Sequence, residues 1–237
     1  MVRRAAMILF ALCLFVGMIP TSEAASSKDY VALKYAKKVT KVTDTKTKVS
    51  GKGILGNEEP NDSTAIIFKD LVSVKNFKAT MEFHKDYGGY PQAGWYAINF
   101  SDKPTWFSPV KETIKEKAIS GVNLIFKLDP TDKKQLVIEI SRYTPKAGFK
   151  SMSSSIYTTL KKDWIANVEL KKGILYIDSK KITDLNDFID LTLKTDKAFV
   201  GFGGFSEDAN DVEFSVTYAA KVKKDEIAAY NKKNKAK

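Results

Sequence analysis

The sequence predicts an all-β protein, an antiparallel β-sandwich of two packed sheets. After Ile54, apolar and polar residues alternate over short stretches, which is the period of a strand with one buried face. Turn sequences rich in Gly, Pro, Asp and Asn separate these stretches at intervals of roughly ten residues, as in sandwiches and barrels. No region alternates strands with long amphipathic helices, so the pattern does not favour a parallel α/β sheet.

The clearest strand pattern lies in residues 164–182, with the sequence WIANVELKKGILYIDSKKI. Val168 and Leu170 alternate with polar neighbours, and the pair Lys172-Gly173 interrupts them as a turn. A second apolar, β-prone stretch follows and ends in another turn. Alternation on both sides of a short glycine-containing turn predicts an antiparallel hairpin.

The remaining elements follow from the same pattern, taken in chain order. We predict strands at 64–69, 77–84, 95–100, 122–128, 136–140, 198–205 and 212–218. Three longer segments read as loops by composition: 85–94, 102–116 and 142–159. Residues 186–189 have the composition of a short helical turn.

Residues 1–24 have the features of a secretory signal peptide. Arg3 and Arg4 precede an apolar run at 7–19, and small residues occupy the positions that a signal peptidase reads. The alternative is an uncleaved anchor, but the run is short for a membrane span. The only cysteine, Cys13, lies inside this segment, so we expect the mature chain to have no disulfide and no thiol nucleophile.

Composition divides the rest of the chain into three parts. Residues 25–62 form a leading arm and loop rich in Lys, Thr and Ser, which suits an edge strand protected by its lysines. Residues 63–220 hold the sandwich. Residues 221–237 form a basic C-terminal tail, for which we expect a frayed terminus.

The chain is strongly basic, with 39 Lys and Arg against 28 Asp and Glu and a net charge of +11. Such a charge favours anionic partners, although solubility explains it equally well. We expect a protein that is secreted or associated with the cell envelope and binds a polysaccharide or another anionic envelope polymer. Secretion and the lack of a recognition motif argue against nucleic acid.

Three motifs resemble the concanavalin A-like lectin and glucanase superfamily, and laminin G-like domains in particular. They are the tryptophan-led hairpin 164–182, the glycine-rich strand FVGFGGFS at 199–206, and the closing strand DVEFSVTYA at 211–219. Ser179 stands where the family's hairpin turn usually has glycine. The resemblance covers residues 63–220 and implies a jelly roll. It implies no single function, because the superfamily contains lectins, hydrolases, lyases and adhesion modules.

Catalytic residues are not predicted. The paired-carboxylate motif of the related glucanases is absent, and the best-placed strand offers only Glu139. Retaining hydrolysis needs two carboxyl groups about 5 Å apart, so one strand glutamate is insufficient. His84 is the only histidine, which excludes a multi-histidine metal site, and its parity predicts a solvent-facing side chain.

The loop 206–211, with the sequence SEDAND, concentrates oxygen ligands of the kind that calcium prefers. Its spacing does not match the twelve-residue calcium-binding loop, and acidic residues are common in turns. We therefore expect an ordinary turn and no cofactor, with calcium as the alternative.

Aromatic residues in two loops are the candidate ligand-binding residues, since flat aromatic faces stack on sugar rings. Trp95 and Tyr96 have opposite parity on one strand, so one of them should point into the core. Trp164 is assigned to the core. The candidate ligand-binding residues are Tyr87, Tyr90, Trp95 and Trp106, with Arg142, Tyr143 and Tyr157 on the other long loop as the second choice.

These observations favour a secreted, non-catalytic carbohydrate-binding or adhesion domain. The first alternative is a glycoside hydrolase or polysaccharide lyase of the same fold. The second is a structural envelope protein held by charge.

Overall fold

A computed structural model of the chain shows a two-sheet sandwich. It describes residues 30–32, 38–43, 46–51, 64–83, 94–105, 118–128, 132, 134–152, 154–206 and 214–219. The expected signal peptide 1–24, His84 and the basic tail 221–237 lie outside the described residues.

Fifteen strands and one short helix are present in this part of the chain. The strands are β1 (Tyr30–Ala32), β2 (Lys38–Thr43), β3 (Lys46–Gly51), β4 (Thr64–Ser73), β5 (Asn76–Phe83), β6 (Gly94–Ser101), β7 (Gly121–Leu128), β8 (Gln135–Thr144), β9 (Gly148–Ser151), β10 (Ile156–Thr159), β11 (Ile165–Lys171), β12 (Ile174–Ile177), β13 (Lys180–Asp184), β14 (Lys197–Ser206) and β15 (Phe214–Ala219). The helix, α1, is Asn186–Asp190 and lies between β13 and β14.

The strands form two antiparallel sheets. The eight-stranded sheet has the order β1-β4-β14-β6-β7-β8-β10, with β9 also paired to β8. The seven-stranded sheet has the order β13-β12-β11-β5-β15-β3-β2. The predicted all-β antiparallel sandwich is confirmed. Since β13 and β14 belong to different sheets, the chain crosses between the sheets through α1.

The main core lies between the two sheets and follows the alternation seen in the sequence. In β5 every second residue is buried, from Phe77 to Phe83. In β6, Tyr96, Ile98 and Phe100 point into the same core. The rings of Phe100 and Phe77 pack edge-to-face with their centroids 5.1 Å apart. Each such side chain contributes roughly 1.5–3 kcal/mol through burial.

The hairpin predicted at 164–182 is confirmed. β11 pairs with β12, placing Val168 opposite Ile177, and β12 pairs with β13 after a turn at Asp178 and Ser179. Both of these turn residues have positive φ angles, 50° and 71°. β11 also pairs along its length with β5, the middle strand of the seven-stranded sheet, so the hairpin lies between β5 and the edge strand β13.

The segment 142–159, predicted as mostly loop, is not a loop, and that prediction was wrong. β8 continues to Thr144, and β9 and β10 both pair with β8, at different parts of its length. These two strands have only four residues each and no clean alternation of buried and exposed side chains. β9 and β10 form because they pair with the long strand β8, and the periodicity of a short stretch of sequence does not show such pairing.

Residues 30–51 contribute strands to both sheets. β1 pairs with β4 at one edge of the eight-stranded sheet, while β3 pairs with β15 and β2 forms an edge of the seven-stranded sheet. The division between the arm 25–62 and the sandwich 63–220 remains a prediction. Within the described residues, no helix has the length and apolar character needed to cross a membrane.

Candidate functional site

An open depression of about 770 Å³ lies at the end of the sandwich where the chain crosses through α1. Its size falls within the range of small-molecule sites. Three walls form it: the junction between β6 and β7, the turn after β8, and the residues that follow α1. We call it the end depression, and its lining residues are Asp102, Ala118, Ser120, Arg142, Thr144, Pro145, Lys146, Ala147, Asp190, Leu191, Thr192, Leu193 and Lys194.

The first wall is held by hydrogen bonds between the end of β6 and the start of β7. The Asp102 backbone N–H donates to the Ser120 carbonyl over 2.9 Å, and the Ser120 N–H donates back to Asp102 Oδ1 over 2.9 Å. The hydroxyl of Ser101 donates to the Lys103 carbonyl over 2.6 Å. These bonds fix the Asp102 carboxylate at the edge of the cavity.

The Asp102 carboxyl is partly removed from solvent by its surroundings. Burial raises its pKa above the ordinary value of 3.8. The Ser120 N–H and the charges of Lys103 and Lys194 act in the opposite direction without cancelling this effect. A desolvated carboxyl in a cavity is a group whose hydrogen bonds to a ligand are strong.

The second wall follows α1, which is a helix of five residues. The Thr192 hydroxyl donates to the Phe188 carbonyl over 2.6 Å, and the N–H of Leu193 donates to the carbonyl of Ile189 over 2.8 Å. Lys75, in the turn between β4 and β5, binds both carboxylate oxygens of Asp190, at 2.7 and 2.8 Å. The Asp190 carboxylate therefore lines the depression with its negative charge neutralised by Lys75.

The third wall is the turn between β8 and β9. The Thr144 hydroxyl accepts a hydrogen bond from the Ala147 N–H over 3.0 Å, and Gly148 takes a φ of 65° that closes the turn. The Arg142 guanidinium carbon lies 5.4 Å from the centre of the Phe188 ring. This distance is within cation–π range, so the aromatic ring of α1 orients the arginine.

Of the four aromatic residues predicted to bind ligand, the structure describes Trp95. Trp95 lies near the start of β6, on the face turned away from the main core, and is buried in a small cluster with Ala97 and Ile125. Ser101, which adjoins the end depression, is six residues further along, or roughly 20 Å for an extended strand. Tyr87, Tyr90 and Trp106 lie outside the described residues.

The outer face of the eight-stranded sheet carries a row of polar side chains across β6, β7 and β8. Asn99, Asn123 and Ser141 are cross-strand partners and all are buried. Asn99 Nδ2 donates to Asn123 Oδ1 over 2.5 Å, and Asn123 Nδ2 donates to Ser141 Oγ over 3.4 Å. Because these residues bond one another and are buried, the row specifies the register of the strands.

Glu139, the strand glutamate considered in the sequence, lies on the same outer face. It forms an ion pair with Lys127, with 2.8 Å between Oε1 and Nζ, and accepts a hydrogen bond from the Ser155 hydroxyl over 3.4 Å. These partners give Glu139 a structural role in joining β7, β8 and the start of β10.

Among the described residues, no group of three or more His, Cys, Asp or Glu side chains could hold a metal ion. Most of the acidic loop 206–211, the sequence's calcium candidate, lies outside the described residues. The expectations about calcium and other cofactors therefore stay predictions.

Sequence reasoning missed Asp102 and Asp190, and it reached Arg142 only as a second choice. A signal for Arg142 was available: the sequence has three arginines, and the other two are Arg3 and Arg4. In a chain that otherwise uses lysine, an isolated arginine indicates a need for planar, multidentate hydrogen bonding. Asp102 had no comparable signal, because its burial depends on distant parts of the chain.

No known protein family matches the sequence, and no curated protein matches it either. Several solved structures match the fold. A β-glucanase of Bacillus licheniformis matches with 9% identity and a TM-score of 0.43, covering 85% of this chain and 96% of that chain. A legume lectin-like domain from Entamoeba histolytica matches with 11% identity and a TM-score of 0.45, covering 82% and 91%.

The exoplasmic/lumenal domain of VIP36, in its Ca²⁺/Man3GlcNAc-bound form, matches with 12% identity and a TM-score of 0.40, covering 85% of this chain and 82% of that one. Likenesses this distant carry no argument about what this chain binds.

Proposed function

We propose that this protein is a secreted, non-catalytic carbohydrate-binding or adhesion domain that holds a saccharide in the end depression. The observation that carries the proposal is the composition of the cavity, in which charged hydrogen-bonding groups converge beside apolar surface. Asp102 and Arg142 offer acceptor and donor groups to sugar hydroxyls. Leu191 is 66% exposed and offers an apolar contact for a ring face.

One of the loop aromatic residues predicted from the sequence, Trp106, belongs to the segment between two residues of the end depression. The segment 106–117 begins four positions after Asp102 and ends just before Ala118, and both of these residues line the end depression. Trp106 is the first residue of that segment and directly follows Thr105 in the chain. We propose Trp106 as a stacking residue of this site, and Tyr87 and Tyr90 as residues of a second contact for a long polysaccharide; Trp95 is buried and offers little surface to a ligand.

A second function, glycoside hydrolysis, is favoured by one observation. The end depression contains two carboxyl groups, and burial raises the pKa of one of them, Asp102. A general acid with a raised pKa beside a second carboxylate is the arrangement that glycosidases use. Against this, Asp190 is bound by Lys75, which occupies both of its oxygens.

A glycan array with the full-length protein tests the proposed function. Binding to saccharides, followed by incubation with the best binder and no change in its chain length, supports a non-catalytic domain. Cleavage that is lost in Asp102→Asn supports the hydrolase. Retention on anionic surfaces without binding to any saccharide supports a structural envelope protein.

The aromatic residues are tested by titrating the best binder into Tyr90→Ala and Trp106→Ala. Loss of one stacking contact should weaken binding about ten-fold, or roughly 1.4 kcal/mol. Tyr176→Ala, on β12 of the other sheet, is the matched control and should leave affinity unchanged. Melting curves of the same variants separate loss of contact from loss of folding, and unchanged affinity in both test variants would remove them from the site.

A further inference from the structure

We propose that the end depression recognises the carboxylate of an acidic saccharide, a uronate, and that the guanidinium of Arg142 binds it. This inference rests on the proposed function, since it names the ligand class of the same site. It follows from the hydrogen-bonding state of Arg142, the charges on the walls of the cavity, and the surface beside them.

Among the residues that the structure describes, Arg142 packs over the Phe188 ring and has no carboxylate partner. Four lysines do have such partners there: Lys75, Lys78, Lys127 and Lys134. A guanidinium has five N–H donors in a rigid plane and binds a carboxylate through two parallel hydrogen bonds. Arg142 is half-buried and already oriented by an aromatic ring, so a ligand carboxylate meets donors that need little reordering.

The charges of the cavity walls also favour an anion. Three cationic residues line the end depression, Arg142, Lys146 and Lys194, and two anionic residues also line it, Asp102 and Asp190. Lys75, which does not line the cavity, binds both oxygens of Asp190 and so neutralises the negative charge of that carboxylate. The net charge presented to a ligand is therefore positive, and the overall charge of +11 increases the rate at which polyanions arrive.

The surface around Arg142 suits a sugar acid better than a simple inorganic anion. Thr144 and Ser120 line the same cavity with hydroxyl groups, and Pro145 and the exposed Leu191 supply apolar area. A saccharide ring has hydroxyl edges and an apolar face, and it fills a cavity of about 770 Å³ better than a small ion does. The Asp102 carboxyl lines the same cavity and accepts hydrogen bonds from those hydroxyls.

The test compares two polymers with one backbone, polygalacturonate and its fully methyl-esterified form, by titration into the full-length protein at physiological salt. We expect polygalacturonate to bind at least ten-fold more tightly, since esterification removes the carboxylate charge and keeps the sugar. Arg142→Met should weaken polygalacturonate binding ten-fold or more and leave binding of the ester unchanged. Arg142→Lys should recover only part of the loss, because an ammonium group lacks the planar pair of donors.

Lys180→Met is the control, because it removes one positive charge at the start of β13, at the other end of that strand from α1. It should change affinity less than two-fold. Equal effects of Arg142→Met and Lys180→Met would overturn the proposal and assign binding to overall charge. Equal binding of the two polymers would overturn it while keeping a carbohydrate-binding function. Binding of neither polymer would overturn it, and a glycan array without any binder would in addition reject the proposed function.

Discussion

The carboxylate of Asp102 accepts a hydrogen bond from the backbone N–H of Ser120 over 2.9 Å, while the Asp102 N–H donates to the Ser120 carbonyl over the same distance. This reciprocal pair joins the end of β6 to the start of β7 across a separation of 18 residues. It places a carboxylate that burial partly desolvates on the wall of the end depression.

Asp102→Asn should make the protein more stable at pH 7, with a gain that shrinks as the pH falls. Burial raises the pKa of Asp102 in the folded protein, so folding favours the protonated carboxyl and the ionised form is destabilising. At a pH above the raised pKa, Asp102 of the wild type is ionised and destabilises the folded protein. Near pH 3.8, the ordinary pKa of an Asp, the folded protein holds Asp102 mostly protonated, so this destabilisation is largely absent. Urea unfolding of both proteins at pH 7 and near pH 4 measures the difference.

Asp132→Asn is the matched control for Asp102. Asp132 also accepts a hydrogen bond from a backbone N–H, that of Lys134 over 2.9 Å, but it is exposed to solvent. We expect no gain from this variant at pH 7. A loss of stability in Asp102→Asn at pH 7 would show that the Ser120 N–H and the nearby lysines outweigh burial.

Gly173→Ala should destabilise the hairpin between β11 and β12. Gly173 has a φ of 78°, and a Cβ atom there would collide with the side chain of Asn186. We expect a loss of about 1–2 kcal/mol from the backbone conformation and a further loss from the collision. Gly148→Ala separates the two effects, because Gly148 has a similar φ of 65° and no atom within 4 Å of the added Cβ.

Comparing the free energies of unfolding of the two glycine variants isolates the contribution of Asn186. Asn186 donates from Nδ2 to the Lys172 carbonyl over 2.9 Å and to Asp184 over 3.0 Å, so it cannot move away without breaking both bonds. Equal losses in Gly173→Ala and Gly148→Ala would mean that Asn186 relaxes at no cost.

Trp164→Ala should lower stability by about 2–3 kcal/mol, which is less than the 3–5 kcal/mol of a fully buried tryptophan. Trp164 is half-buried against the main core, and its carbonyl accepts a hydrogen bond from the Phe83 N–H over 2.8 Å. Thermal or chemical unfolding measures the loss. Tyr157→Ala, at an aromatic residue that is 64% exposed, is the control, and a loss in Trp164→Ala no larger than in this variant would place Trp164 outside the core.

Lys75→Met should weaken polygalacturonate binding several-fold and change stability by less than about 1 kcal/mol. Removing Lys75 leaves the Asp190 carboxylate uncompensated at the wall of the end depression, where it repels an anionic ligand. Lys78→Met is the matched control, because Lys78 forms a similar ion pair with Glu169 at 2.9 Å, between β5 and β11 of the seven-stranded sheet. Equal affinities in the two variants would show that Asp190 does not face the ligand.

The sequence by itself determined the class of fold and the strands with one buried face. Phe77 to Phe83 alternate with polar residues, and the hairpin around Lys172-Gly173 has its turn where composition predicted it. Alternation reports burial directly, because successive side chains of a strand point to opposite faces. The same reasoning required Trp95 and Tyr96 to point in opposite directions, and only Tyr96 belongs to the main core.

Only the tertiary structure decided where the candidate site lies. Asp102, Arg142 and Asp190 come from three separate elements and meet at one end of the sandwich because β6, β7 and β8 are neighbours and α1 crosses beside them. β9 and β10 likewise exist through pairing with β8. Local periodicity contains no information about which strands become neighbours, and the burial that raises the pKa of Asp102 arises from contacts between residues far apart in the chain.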